Sequence, residues 1–475
     1  MLQQNLVLDP ARGRLGLVTA SVGGRPCHDH VWTRDSGVFL RELAHVGLVE
    51  HGLLVSRALI ELVAPNARGF LAYPQHVHLG QGPASGDELD GTAAIVIGMV
   101  ALWQRTPLEH PDRARLLDFL LQPTSPARFL RDAAAHGLIG GSGEFGGGMG
   151  VSGLYCNVVQ NHLAAVALQQ MSRLEDAIAA TEPAALDRQA AARLMAGLLA
   201  HLVAEDGGWL WCVDARTLAA DPQVLAAHAN QGFGGINGVL AMHADSGDLV
   251  PDESGWAGMA ASRAVFARLL SEPRRRDQFA RFGMWSQFDR ERDGLLTSPS
   301  YGQGYAIQCL LLMDRLEEAA RALGFLARAT AQPPCFLTLD RRSRYHFYER
   351  YYAPDAQDRC VTDEGCGALN LVNVAEPLKA ARLILGIDDQ DPARLRIVPR
   401  LPDGWDEATA EDWPVRTTTG VYRADVRISR LQRWLRVELT CDHGQLPLVA
   451  VRSPLALGGA WQELTDVTAV AVDCL

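Results

Sequence analysis

Six times along the 475-residue chain a Gly-bearing turn opens a stretch that is apolar around its whole helical circumference. The stretches are WTRDSGVFLREL from Trp32, DELDGTAAIVIGMVALW from Asp87, SGLYCNVVQNHLAAVAL from Ser152, GFGGINGVLAMHA from Gly232, YGQGYAIQCLLLM from Tyr301 and DEGCGALNLVNVAEPLKAARLIL from Asp363. Their starts lie 55, 65, 80, 69 and 62 residues apart. A helix without a polar face must be buried on all sides. Between these stretches run Ala/Arg/Leu-rich segments with one polar face, at 52–64, 111–121, 186–204, 256–271 and 315–330. Buried helices alternating with half-exposed ones predict six helical hairpins closed into a ring, a mainly α (α/α)6 barrel or six-hairpin toroid.

Beyond residue 388 the period changes from that of a helix to that of a strand. LRIVPRL, VYRADVRISR, RWLRVELTC and PLVAVRS alternate apolar and polar residues, with turn residues between them. The expected organisation is an extension at 1–25 with one or two strands (NLVLD, RLGLVTA), a helical barrel over 26–387, and a small antiparallel β-domain over 388–475. Forty-four basic residues against 55 acidic ones give a charge of −11. That balance argues against a nucleic-acid partner, whose phosphates call for clustered Lys and Arg. Lys379 is the only lysine, so lysine chemistry has a single candidate. No run approaches the roughly 18 apolar residues of a membrane span, and MLQQNLVLDP lacks the basic and apolar regions of a signal peptide. Nine cysteines without CxxC spacing favour reduced thiols. The expectation is a cytoplasmic protein with no membrane partner and no cofactor; oligomeric state is not legible.

A ring of this kind places its chemistry. The long loops 66–90, 137–152, 205–232, 272–301 and 331–364 each lead from an outer helix into an inner one, so all open on the face where the inner helices begin. Helix N-termini favour acidic groups and polar ligands. At those starts stand Trp32, Arg34 and Asp35, then Glu88 and Asp90, then Glu144 in GSGEFGGGMG, then Tyr301 and Gln303, and finally Asp363 and Glu364. Any one carboxylate alone reads as a helix cap. Several on one face, with an arginine fork and aromatic rings beside them, describe a sugar-binding crater, and cleavage of a glycosidic bond asks for two carboxyl groups flanking it. CHDH at 27–30 and HVH at 76–78 lie in neighbouring loops of the same face; hydrogen bonding to substrate or loop packing, with His76 foremost, is preferred there to a metal site. The arginine- and aromatic-rich RRSRYHFYERYY at 341–352 reads as a wall of the crater.

WTRDSG at 32–37 resembles the WTRDSG that opens an inner helix in the glucoamylases of glycoside hydrolase family 15, members of the six-hairpin glycosidases. DELDGTAAIVIG resembles the start of their next inner helix, and GEF at 143–145 occupies the loop of their general acid. The tail EGCGALNLVNVAEPLKAARLILGIDDQDPARLRIVPRLPDGW resembles the last helix and β-domain of six-hairpin rhamnosidases and glycoside phosphorylases. The resemblance implies that Trp32, Arg34 and Asp35 bind the terminal sugar, with Glu144 as general acid and Glu364 as general base. Glu144 lies between Gly143 and Phe145 rather than in the glucoamylase Trp-Glu-Glu context, so Glu88 and Asp90 stay open as the acid. The implied activity is exo-acting, inverting hydrolysis of an oligosaccharide or glycoside, first of an α-glucosidic bond. A phosphorylase, an epimerase or lyase, and a non-catalytic sugar-binding ring are the alternatives.

Overall fold

The computed structural model describes residues 6–9, 14–18, 30–78, 88–141, 154–220, scattered positions between 260 and 273, 291–292, 295–299, 303–331, 350–352, 362–363, 371–432, 434–441, 446, 448–452, 461–464 and 469–474. Buried and amphipathic helices alternate as the periodicity predicts. The buried set comprises Thr33–His45 (α1), Leu89–Arg105 (α3), Val158–Ala177 (α6), Gln303–Leu312 (α8) and Leu371–Leu385 (α10). The outer set comprises Val49–Leu62 (α2), Pro111–Leu121 (α4), Thr181–His201 (α7) and Leu316–Ala331 (α9). Every residue of α1 is buried, and in α3 only Gln104 is not. A further helix, Pro126–Ala133 (α5), departs from the strict alternation. Ser125 caps it by accepting from the Arg128 N–H at 3.3 Å, and Pro126 supplies the preset first turn.

The inner helices pack side by side in the order α8, α10, α1, α3, α6. The inner helix expected from Gly232 lies outside the described residues. Helices α1 and α3 meet in parallel, backbone to backbone. A Cβ on Gly37 would lie 2.4 Å from the Ala94 carbonyl carbon, and one on Gly98 2.7 Å from the Gly37 oxygen. Glycine weakens a helix interior; here it lets two helices approach more closely than any side chain would allow. The helix α6 begins six residues after Ser152 because Tyr155–Asn157 (β7) first pairs with Cys212–Asp214 (β8). Asn157 then caps α6, accepting from Val159 N–H at 2.7 Å.

A short strand pair ties the loops at the helix starts: His30–Trp32 pairs antiparallel with His76–His78. A second hairpin, Leu6–Asp9 with Arg14–Val18, packs against α2. Helix α10 ends on Gly386 at φ +69°, whose N–H bonds the Arg382 carbonyl at 2.7 Å. The chain then forms two four-stranded sheets around a second hydrophobic core that includes Leu395, Ile397, Val426, Ile428, Val437 and Val449. One sheet is Glu407–Thr417, Gly420–Leu431, Trp434–Cys441 and Ala469–Cys474, antiparallel throughout. The other corrects the expectation of a purely antiparallel domain: Arg394–Ile397 pairs parallel with Leu448–Val451. Parallel neighbours need a long crossover, and here three strands of the first sheet are threaded between them. Among the described residues, no helix is long and apolar enough to cross a membrane.

Candidate functional site

The first turns of α1 and α3 lie against each other, and that contact assembles the candidate site. Trp32 is the last residue of its strand and the N-cap of α1, and its carbonyl accepts from Ser36 Oγ at 2.8 Å. The strand-to-helix corner is fixed by Thr33 N–H on the Gln75 carbonyl at 3.1 Å, and the start of α3 by Glu88 N–H on the Tyr73 carbonyl at 3.0 Å. Loop 73–75 thus holds both helix starts.

Arg34 projects from α1 between two carboxylates. Its Nη1 donates to Asp90 Oδ2 at 3.2 Å, and its Nη2 lies 3.7 Å from Asp35 Oδ1. Arg34 is 7% exposed and Asp90 fully buried. Among the described residues no group donates to Asp90 Oδ1, an oxygen with hydrogen-bonding capacity for a ligand. Glu88, 5% exposed, points the other way, its Oε2 3.2 Å from Thr33 Oγ1. Beside the pair the Trp32 and His76 rings face each other across the strand pair at 4.9 Å between centroids, and His76 and His30 at 5.1 Å. Val31 and Val77 occupy the opposite face of that ribbon and are buried, so the core fixes which way the rings face.

Of the residues proposed from sequence, Trp32, Arg34, Asp35, His76, Glu88 and Asp90 are therefore brought together. Glu144, Tyr301 and Glu364 lie outside the described residues. Gln303 is placed as the first residue of α8, by backbone alone. Among the described residues no three His, Cys, Asp or Glu side chains gather as metal ligands would. Thr33 and Gly91 carry no local sequence signal of a place in the site. Thr33 sits inside the WTRDSG motif, but its importance depends on a carboxyl 55 positions away.

Deeper along the same helices the interior is basic. Arg41 Nε and Arg382 Nη2 both donate to Glu42 Oε1, at 2.8 and 3.1 Å, and Arg105 Nη2 donates to both oxygens of Asp389 at 2.7 and 2.9 Å. The lone lysine, Lys379, is fully buried in α10. Burial, and then the charge of Lys379, push His162 of α6 down to about 3. Burial, and then Arg382, Arg105, Arg41 and Lys379, lower His45 well below its usual range. Both imidazoles are neutral at physiological pH, packed among permanent cations.

No protein-family model matches the chain, and no curated protein matches it. Solved structures do. A wild-type glycosidase superposes with a TM-score of 0.50 at 14% identity, over 80% of this chain and 93% of its own. An α-L-rhamnosidase from Dictyoglumus thermophilum gives 0.52 at 10% identity, over 92% of this chain and 42% of its own. A human-microbiome protein assigned as a kojibiose phosphorylase gives 0.50 at 10%, over 96% of this chain and 56% of its own. The fold is shared with glycoside-processing enzymes. This chain spans about half the length of the phosphorylase-like protein and less of the rhamnosidase. At such identities the likeness is one of fold, with the helical hairpins and the C-terminal sheets both included in the longer matches.

Proposed function

We propose that the protein is an exo-acting glycoside hydrolase that removes a terminal sugar with inversion, an α-glucosidic bond being the first substrate to try. The observation that carries this reading is the Arg34–Asp90 pair with Asp35, buried at the paired starts of α1 and α3 beside the Trp32–His76 rings. A guanidinium offers a rigid fork of donors, a carboxylate accepts sugar hydroxyls, and an aromatic face stacks on the apolar face of a pyranose. This is the chemistry for gripping the last sugar of a chain. Two more carboxyl functions are required: an acid that protonates the leaving oxygen, and a base that deprotonates water on the opposite side of the ring. Glu364 is the proposed base. Glu144 is the proposed acid, with Glu88, or Asp90 in place of its part in the grip, as the alternatives.

The test is hydrolysis of a panel of aryl α- and β-glycosides by the purified protein, with the anomeric form of the first product followed by NMR. Cleavage yielding the opposite anomer supports the reading, and cleavage with retention overturns the inverting assignment. Strict dependence of turnover on inorganic phosphate would transfer the protein to the phosphorylases. Glu364→Gln is expected to lower turnover by about 10²–10⁴-fold, the usual share of general acid–base catalysis, with the fold unchanged by circular dichroism. Near-normal activity in that variant would remove Glu364 from the mechanism.

A further inference from the structure

We infer that His30 and His76 form a binding site for a divalent transition-metal ion of the zinc and copper class; the inference does not depend on the function proposed above. The two imidazoles come from segments far apart in the chain and meet on one strand pair. His30–Trp32 runs antiparallel to His76–His78, with Trp32 opposite His76 and His30 opposite His78. Alternation along a strand puts positions 30, 32, 76 and 78 on one face of this ribbon and Val31 and Val77 on the other. Val31 and Val77 belong to the hydrophobic core, so the histidine-bearing face is turned away from it. His30 and His76 are half-buried, which leaves them within reach of an ion.

The spacing of the two rings is that of ligands sharing one ion. Zinc takes an imidazole nitrogen at about 2.0–2.1 Å, and the ring centre lies about 1.2 Å beyond that nitrogen, so each ring centre stands about 3.2 Å from the metal. Two such ligands at a tetrahedral angle of about 109° have ring centres about 5.2 Å apart. The His30 and His76 centroids are 5.1 Å apart. Their planes are inclined at 54°, which is neither the parallel arrangement of stacked rings nor the perpendicular one of an edge-to-face pair.

The donor set selects the metal. Imidazole suits zinc, copper and nickel, whereas calcium and magnesium call for oxygen. Each ring needs one nitrogen for the ion, and the other keeps the hydrogen bond that orients a metal-binding histidine. Among the described side chains the set is this pair, and the backbone register carries one more histidine, His78, to the same face. Two imidazoles leave two positions of a tetrahedral ion for water or for a hydroxyl of a bound ligand. Such an ion would clamp the segment entering α1 to the segment entering α3, which are already joined by Thr33 N–H on the Gln75 carbonyl at 3.1 Å. It would also lie beside the Trp32 ring, whose centroid is 4.9 Å from that of His76.

The experiment uses the full chain, stripped of metal with a chelator and carrying no histidine tag. Calorimetric titration with Zn(II) is expected to show saturable binding of about one ion per chain and to raise the thermal midpoint. Cu(II) should bind more tightly, with nitrogen coupling in its electron paramagnetic resonance spectrum, and Mg(II) should not bind. His30→Ala and His76→Ala should each weaken Zn(II) binding by at least about tenfold. His76→Gln repeats the test with less disturbance of the packing against Trp32. His136→Ala, which removes an exposed histidine after α5, should bind as the wild type does. No saturable Zn(II) binding, no nitrogen coupling to Cu(II), or undiminished affinity in both ribbon variants overturns the site. Equal weakening in His136→Ala overturns its assignment to the ribbon. The readout is binding, so a wild type that cleaves no glycoside would overturn the function proposed above and leave this result standing.

Discussion

Replacing Gly37 by alanine tests whether the α1–α3 approach sets both stability and site geometry. The added methyl would lie 2.4 Å from the carbonyl carbon of Ala94, 2.5 Å from the nitrogen of Ile95 and 2.7 Å from the oxygen of Ala94. All three are backbone atoms and cannot rotate away. Ordinary contact begins near 3.4 Å, so the helices must part by roughly 1 Å. Overpacking of this kind costs about 1–3 kcal/mol, and the better helix propensity of alanine returns about 1 kcal/mol. A net loss of up to about 2 kcal/mol is expected, as a lower urea midpoint. The same displacement would stretch the Arg34–Asp90 contact from 3.2 Å to beyond ion-pair range, and a shift of about 1 Å in positioning groups can cost about 10²-fold in turnover. Gly52→Ala serves as the control, because its methyl would meet first the end of the flexible Leu102 side chain. That variant should stay within about 0.5 kcal/mol of wild type. Gly37→Ala at least as stable as wild type, with turnover intact, would refute the reasoning; so would an equal loss in Gly52→Ala.

Three further outcomes are expected. Arg34→Lys cannot reach Asp90 and Asp35 with one planar fork, and should lower kcat/KM by about 10–100-fold, the worth of one charged hydrogen bond, measured on whichever glycoside the wild type cleaves. His162 stays neutral in the fold down to about pH 3 but takes up a proton near 6.5 when unfolded. The unfolded state therefore binds the extra proton in that window, and stability should fall as pH drops from 6.5 toward 3; His162→Gln should flatten the fall in denaturation series across pH. Burial, and then the neighbouring Glu175 carboxylate, hold the Asp187 carboxyl above its usual range at about 7, against the opposing charges of Arg128 and Arg131. Its protonated form stabilises the fold at acid pH, and that contribution is lost as pH rises through the raised value. Asp187→Asn should reduce the decline between acid and neutral pH, read from the same series.

Three of the inner helices were legible almost to the residue. Turns marked at Trp32, Asp87 and Tyr301 open helices at Thr33, Leu89 and Gln303, because all-round apolarity and a preceding Gly-bearing loop are local signals. The start of α6 was displaced because Tyr155–Asn157 is claimed by a strand partner nearly 60 residues away. Helix α5 was overlooked beside its longer neighbours, although Ser125-Pro126 is a start signal. The strand Glu407–Thr417 was missed because EATAEDWPVRT has few apolar residues and a proline; it is tolerated at the sheet edge, where only one neighbour needs its N–H groups. For the site, the grouping of Arg34, Asp35, Glu88 and Asp90 was legible from their common placement at helix starts.

The sequence by itself determined which of the described segments are buried helices, and hence that the acidic first turns of α1 and α3 would lie together. These properties follow from short-range periodicity, which each segment carries alone. Only the tertiary structure decided what each carboxyl does there. Asp90 meets the Arg34 guanidinium and Glu88 meets the Thr33 hydroxyl, though the two stand two residues apart with the same charge on paper. That difference is made by atoms more than 50 residues distant in the chain, at separations where a few tenths of an ångström decide who donates and who accepts.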